Sequence, residues 1–283
     1  MTTVAHFSDV HALSLEGAHF WEFLSKRAAG FANVSLRRKK KHQVSLFEGI
    51  AEDLNRAPPD EVVVTGDLTN LSLEPEFKLA RSILDRIQLG PSHVTVIPGN
   101  HDVYTWDARA RKLFERHIAP YASESGEVQF PVERVRGGLA ILGLSTALPS
   151  PPPLADGWVG RAQREALEAA LERHRDKFRI LLMHHPPVTN KHSWLRGLRD
   201  RGALQKILSR VGCELVLHGH EHRDLRSEVA GPDGPIPVIG VGSGTYADER
   251  RDRRARYNRY HIAGKRLVSV ETRVHDPTTN RFC

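Results

Sequence analysis

The chain has 283 residues, 40% of them hydrophobic, enough for a well-buried core in one large or two small domains. Its 41 Lys+Arg against 34 Asp+Glu leave a formal charge of +7, a bias toward acidic partners such as nucleotides, phosphorylated lipids or anionic surfaces. Two cysteines, Cys213 and Cys283, exclude a disulfide framework, and no apolar run approaches the roughly 18 residues that span a bilayer. The opening MTTVAHFSDVH lacks the basic-then-apolar pattern of an export signal, so a cytoplasmic protein is expected.

In chain order, an apolar run at 3–8 reads as a strand, 44–56 as a helix, 61–65 as a strand, 75–88 as a helix and 93–97 as a strand. A helix at 107–117 follows, then a strand pair within 133–146 and a proline-rich loop at 149–153. The pattern Ala162, Ala166, Leu167, Ala170, Leu171 marks a helix at 160–174, and 178–183 is a strand. The last hundred residues are richer in strands, at 214–217, 225–229, 236–241, 257–262 and 267–274. Strands alternating with helices predict an α/β fold, and two sheets packed face to face between helical layers accommodate these elements in a single domain, 1–283.

One segment breaks the rhythm, an insertion at about 12–43 containing AHFWEFLSKRAAGFANVSLRRKKKH. Either Phe20, Trp21, Phe23, Leu24 and Phe31 pack on the body with residues 37–41 solvated, or the segment caps the active site or touches anionic lipid. The cluster ERRDRRARYNR at 249–259 reads as a solvated face, with the alternative that one or two arginines reach a phosphate. Tyr104 and Trp106 are candidates for lining a pocket or for ordinary packing.

Five short motifs stand just after predicted strand ends: Asp9-Val10-His11, Gly66-Asp67-Leu68-Thr69-Asn70, Gly99-Asn100-His101-Asp102, His184-His185-Pro186 and Gly219-His220-Glu221-His222. Ligands of α/β folds gather beyond the carboxyl ends of strands, so five such loops can converge. Carboxylates, an amide carbonyl and imidazoles with no thiolate suit manganese, iron, zinc, cobalt or nickel rather than calcium. Asp9, His11, Asp67, Asn100, His184, His220 and His222 make seven candidate ligands. That is too many for one catalytic ion with an open position, and it suits two ions sharing a carboxylate. Gly66, Gly99 and Gly219 precede ligands where positive φ or close backbone approach is expected. His218 is expected to be buried, and His6, His19, His42, His93, His117, His174, His192, His261 and His275 are read as structural.

The ordered set D-x-H, G-D, G-N-H-D, H-x-P and G-H-x-H resembles the calcineurin-like metallophosphoesterase superfamily, from Asp9 to His222. The resemblance implies a four-layer αββα sandwich of two mixed sheets flanked by helices, with a dimetal site at the strand ends. It implies two divalent or mixed-valence ions, manganese, iron or zinc. Asp9, His11 and His222 would hold the first, Asn100, His184 and His220 the second, and Asp67 would bridge them. His185 would support the site or face substrate. A bridging hydroxide would be the nucleophile, His101 would stabilise charge or protonate the leaving oxygen, and Asp102 would orient His101.

The function expected is two-metal hydrolysis of a phosphodiester or phosphoanhydride, first a cyclic-nucleotide-type phosphodiesterase. The alternative is a UDP-2,3-diacylglucosamine pyrophosphatase of lipid A synthesis, which the SKRAAGFANVSLRRKKKH segment resembles. A DNA nuclease or a non-catalytic scaffold ranks below these. Expected partners are a phosphorylated small molecule or nucleotide-lipid substrate, with peripheral contact between the 12–43 insertion and the anionic inner face of a membrane, and no DNA.

Overall fold

A computed structural model describes residues 1–16, 41–151, 154–188 and 193–283. Most of the 12–43 insertion, with its aromatic and basic residues, lies outside them, as do His19 and His192.

The N-terminal half builds one sheet. Strand β1 (Thr2–Phe7) lies parallel to β2 (Glu61–Val64), and β2 to β3 (Val94–Val96), with helix α1 (Val44–Arg56) between the first two and α2 (Glu74–Leu84) between the next. Period-two alternation decides which side each residue faces. Val4, Val63 and Ile97 enter the core shared with the other sheet, while Ala5, Phe7, Val62 and Val64 pack against helices. In α1 the apolar Leu46, Phe47, Ile50, Ala51 and Leu54 recur at helical spacing and are all buried. Each large side chain so buried contributes roughly 1.5–3 kcal/mol.

The second sheet begins with the hairpin β4 (Val132–Arg136) and β5 (Leu139–Gly143). Strands β6 (Phe178–Leu182), β7 (Leu215–His218) and β9 (Gly234–Gly240) add in parallel to β5, and β8 (Leu225–Gly231) closes the far edge antiparallel to β9. The chain then returns to the first sheet as β10 (Arg256–Ala263), β11 (Arg266–Asp276) and β12 (Arg281–Phe282). The orders are β12-β11-β10-β1-β2-β3 and β4-β5-β6-β7-β9-β8, both mixed. Val4, Ile97, Ile141, Ile180, Leu182, Leu215, Leu217 and Tyr260 form the core between the sheets. Helices α5 (Arg161–Arg173) and α7 (Arg201–Val211) cover the outer face of the second sheet, which completes the four layers.

Several elements differ from the sequence reading. The helix at 107–117 is two, α3 (Trp106–Ala110) and α4 (Leu113–Ala122), separated by Lys112 at φ 50°. The short α6 (Ser193–Arg196) and α7 were not anticipated, although Leu204, Ile207, Leu208 and Val211 carry the helical spacing of α7. In the cluster at 249–259, Arg250 pairs with Asp252 at the surface, but Arg256 is buried against Asp224 and Arg259 donates to the Ala57 carbonyl at 2.7 Å.

No described helix is long and apolar enough to cross a membrane.

Candidate metal centre

Because β1, β2 and β3 run parallel in one sheet and β6 and β7 in the other, the loops leaving their carboxyl ends meet at one edge of the sandwich. Asp9 N donates to Gly66 O at 3.0 Å and His11 N to Asp67 O at 3.0 Å, stitching the first two loops. His220 N donates to Asp9 Oδ2 at 3.1 Å and joins the two sheets. The turns are tight. Asp9, His11, Asp67, His220 and His222 have φ of 54°, 45°, 54°, 71° and 52°, left-handed values that non-glycine residues adopt only where the surroundings enforce them.

Two of the three glycines work sterically rather than through φ. Gly66 has φ 93°, but a Cβ at Gly99 would overlap the Asp67 carboxylate and backbone. A Cβ at Gly219 would overlap Ser8 Oγ and the Asp9 carboxylate.

All seven candidate ligands gather in two neighbouring groups. In the first, His11 Nε2 and His222 Nε2 are 3.1 Å apart, His222 Nε2 is 3.2 Å from Asp9 Oδ1, and His11 Nε2 is 3.8 Å from Asp67 Oδ2. Asp9, His11, Asp67 and His222 all offer ligand atoms within 4.8 Å of one another. In the second, Asn100 Oδ1 lies 3.1 Å from both His184 Nε2 and His220 Nδ1, and His184 Nε2 is 3.5 Å from Asp67 Oδ1. The two oxygens of Asp67 therefore face different groups.

The donor chemistry asks for cations. His11 Nδ1 is 3.2 Å from Thr69 O and His184 Nδ1 is 2.7 Å from Thr65 O; a carbonyl only accepts, so each ring donates from Nδ1 and turns Nε2 inward. Those inward nitrogens meet carboxylates, an amide oxygen and one another, and buried His220 Nε2 has no hydrogen-bond partner among the described residues. Burial pushes the Asp67 carboxyl up, yet His184, His101 and His11 together hold it well below the usual range. Burial alone would lower His184, but Asp67 and Asp9 raise it to about 9. The pocket demands positive charge, which divalent ions would supply to all these atoms at once.

His101 lies beside the first group, its ring 4.9 Å from that of His11, and its Nδ1 donates to Asn70 O at 2.6 Å. Tyr104 stacks on it at 5.3 Å and 7°, whereas Trp106 is 69% exposed. The Asp102 carboxylate accepts from Gly99 N at 2.9 Å, Leu68 N at 3.2 Å and Thr69 N at 2.9 Å, and the Thr69 hydroxyl beside it donates to His101 O at 2.8 Å. The turn after Asn100 directs the carboxylate at backbone, so Asp102 ties the 66–70 loop to the 99–102 loop. Burial, then the Asp67 carboxylate, pushes Asp102 up to about 7 against the pull of those backbone donors.

His185 is buried rather than presented to substrate. Nε2 donates to Ala155 O at 3.2 Å, so Nδ1 accepts from Thr146 Oγ1 at 2.8 Å, and burial followed by His184 lowers its pKa to about 3. His218 is buried and bonded to Gly219 O at 2.9 Å. His42, read from the sequence as structural, lies 4.7 Å ring to ring from His11 and 5.7 Å from His222. The only sequence signal was its place at the exit of the insertion, just before α1.

The calcineurin-like phosphoesterase family model matches residues 2–224. The chain belongs to that family, a class of metal-dependent phosphoester hydrolases. Among curated proteins it is 29% identical over 186 residues to the glycerophosphodiester phosphodiesterase GpdQ of Enterobacter lignolyticus, covering 65% of this chain and 57% of that protein. It is 28% identical over 184 residues to a probable GpdQ of Arcobacter nitrofigilis, covering 63% of each. The chain thus spans less than two thirds of either relative. Among solved structures, a dimetal phosphatase from Danio rerio superposes with a TM-score of 0.65 at 13% identity, over 97% of this chain and 99% of that one. The purple acid phosphatase PPD1 of yellow lupin superposes at 0.63 and 12% identity, over 100% of this chain and 52% of that one. At these identities the likeness is one of fold.

Proposed function

We propose that this protein hydrolyses a phosphodiester of a small molecule with two divalent ions. Asp9, His11 and His222 would hold the first ion, Asn100, His184 and His220 the second, with Asp67 shared between them. The observation that carries the reading is the pair of Asp67 oxygens, Oδ2 toward His11 and Oδ1 toward His184. Manganese, iron or zinc suits this donor set. When bound, two such ions supply Lewis acidity to the phosphoryl oxygens and acidify an attacking water.

The chain's own residues do the rest. Thr69 and Thr65 carbonyls fix the ligand imidazoles in the tautomer that presents Nε2. Asn70 O holds His101 Nδ1–H, which leaves Nε2 to carry a proton to the departing alkoxide, and Tyr104 limits the rotation of that ring. Gly99, Leu68 and Thr69 anchor the Asp102 carboxylate and so keep Asn100 and Asp67 in register.

The names of the two curated relatives favour a glycerophosphodiester as first substrate to test, ahead of the cyclic nucleotide and UDP-2,3-diacylglucosamine that the motifs alone suggest. The test is one panel with purified protein and manganese: glycerophosphocholine, cyclic AMP, UDP-2,3-diacylglucosamine and bis(p-nitrophenyl) phosphate. Metal-dependent cleavage of a diester, abolished by chelator, is expected. Absence of such cleavage across the panel overturns the proposal, and cleavage of the pyrophosphate alone replaces it with the lipid-precursor reading.

A further inference from the structure

The first group of ligands has an imidazole beside it that the five motifs do not include. A ring nitrogen of His42 lies within 4.8 Å of one from His11 and one from His222. The ring of His42 meets that of His11 edge-on at 71° and that of His222 at 87°.

Its placement is built rather than incidental. Gln43 N donates to Thr245 O at 3.1 Å and Ala247 N to Lys41 O at 2.6 Å, so a bridge between His42 and Tyr246 clamps the backbone on both sides of the ring. The partner segment is itself tied to the exit of β1, where Gly244 N donates to Ser8 O at 2.9 Å.

The tautomer of His42 follows from its neighbours. Nδ1 is 3.0 Å from Thr245 Oγ1 and 3.4 Å from Ser243 Oγ. Thr245 Oγ1 donates to Val10 O at 2.7 Å and Ser243 Oγ donates to Asp9 O at 2.7 Å. A hydroxyl has one proton and a carbonyl can only accept, so both hydroxyls can only accept from His42. Nδ1 therefore carries the hydrogen and Nε2 the lone pair, the same arrangement that the Thr69 carbonyl imposes on His11. Val10 and Asp9 belong to the first motif, so the device that orients His42 is anchored on the loop that supplies Asp9 and His11.

We propose that His42 Nε2 is a further ligand of the ion held by Asp9, His11, Asp67 and His222. The inference rests on the two-metal reading above. That ion would then be held by the imidazoles of His11, His42 and His222 and the carboxylates of Asp9 and Asp67.

The test separates ligation from support. In His42→Asn the side-chain amide replaces the Nδ1–H donor to Thr245 but places nothing at Nε2; in His42→Ala both are lost. Isothermal titration with Mn2+ and visible absorption of the Co2+-loaded chain are read for wild type and both variants, with circular dichroism as the control for folding. Expected are two sites in wild type, one of them weakened by about tenfold or more in both variants, and a changed Co2+ spectrum. Wild-type affinities and spectrum in folded His42→Asn overturn the inference, including the case where turnover falls with metal binding intact, which makes His42 a proton-transfer residue. A wild type that binds no divalent ion overturns the two-metal reading itself, a different result from either.

Discussion

The Nε2 atoms of His11 and His222 stand 3.1 Å apart although 211 residues separate them in the chain. Asp9 Oδ1 and Asp67 Oδ2 complete that group, and the other oxygen of Asp67 looks toward His184. Removing this shared carboxylate by Asp67→Ala is expected to abolish occupancy of at least one ion, weaken the other and eliminate hydrolysis. Metal analysis after desalting checks this; two retained ions per chain would show that the bridge is wrongly assigned.

His101→Ala is expected to bind metal as the wild type does and to lose roughly 100- to 10,000-fold in turnover on substrates with poor leaving groups. The loss should shrink with a nitrophenolate leaving group, which needs no proton. An equal loss on both kinds of substrate would remove His101 from the proton-transfer role.

Asp102 gives a different signature. Its carboxylate receives three backbone N–H bonds, so Asp102→Ala leaves buried donors without an acceptor, at about 1–3 kcal/mol each. Thermal unfolding should shift down by many degrees and metal content should fall. A variant with wild-type melting and metal content that altered only the pH profile of turnover would instead support the role of orienting His101.

Gly99→Ala and Gly219→Ala introduce a methyl group into the Asp67 and Asp9 carboxylates, respectively, whereas at Gly138 a Cβ would meet nothing within 4 Å. The first two are expected to lose metal and about 1–3 kcal/mol of stability or more. Gly138→Ala serves as the control that keeps both.

Glu76 supplies a pH dependence away from the ligands. Its Oε2 accepts from Leu71 N at 2.9 Å and Leu73 N at 3.1 Å at the start of α2, but burial pushes the carboxyl from 4.5 to about 8. The folded chain holds a proton there that the unfolded chain has lost above about pH 4.5. Its contribution is therefore full below 4.5 and declines as pH rises toward 8, by up to about 1.4 kcal/mol per pH unit. Glu76→Gln keeps an oxygen for both backbone donors and cannot ionise, so its unfolding curve should be flatter across this window. Parallel slopes for the two proteins would exclude this group as the source.

Much of this molecule could be read in one dimension because the governing patterns are local. The runs VVV at 62–64 and ILL at 180–182 announce buried strands, and Leu46, Phe47, Ile50 and Leu54 announce a helix face, since side-chain periodicity follows from backbone geometry within a few residues. The five motifs were legible for the same reason: parallel strands leave their loops at one end. The unanticipated α7 carries its helical spacing openly in Leu204, Ile207, Leu208 and Val211.

The identities of seven candidate ligands and their order along the chain were determined by the sequence alone. Tertiary structure decided what adjacency could not. Asp102 follows His101 yet serves the backbone of Leu68 and Thr69, because a tight turn aims successive side chains in different directions. His42, unremarkable in a basic run, lies beside His11 because its backbone bridges to Tyr246 and its Nδ1 finds Thr245, 203 residues away. Hydrogen-bond direction and proximity between distant segments arise only when the sheets close on each other, and no local pattern encodes them.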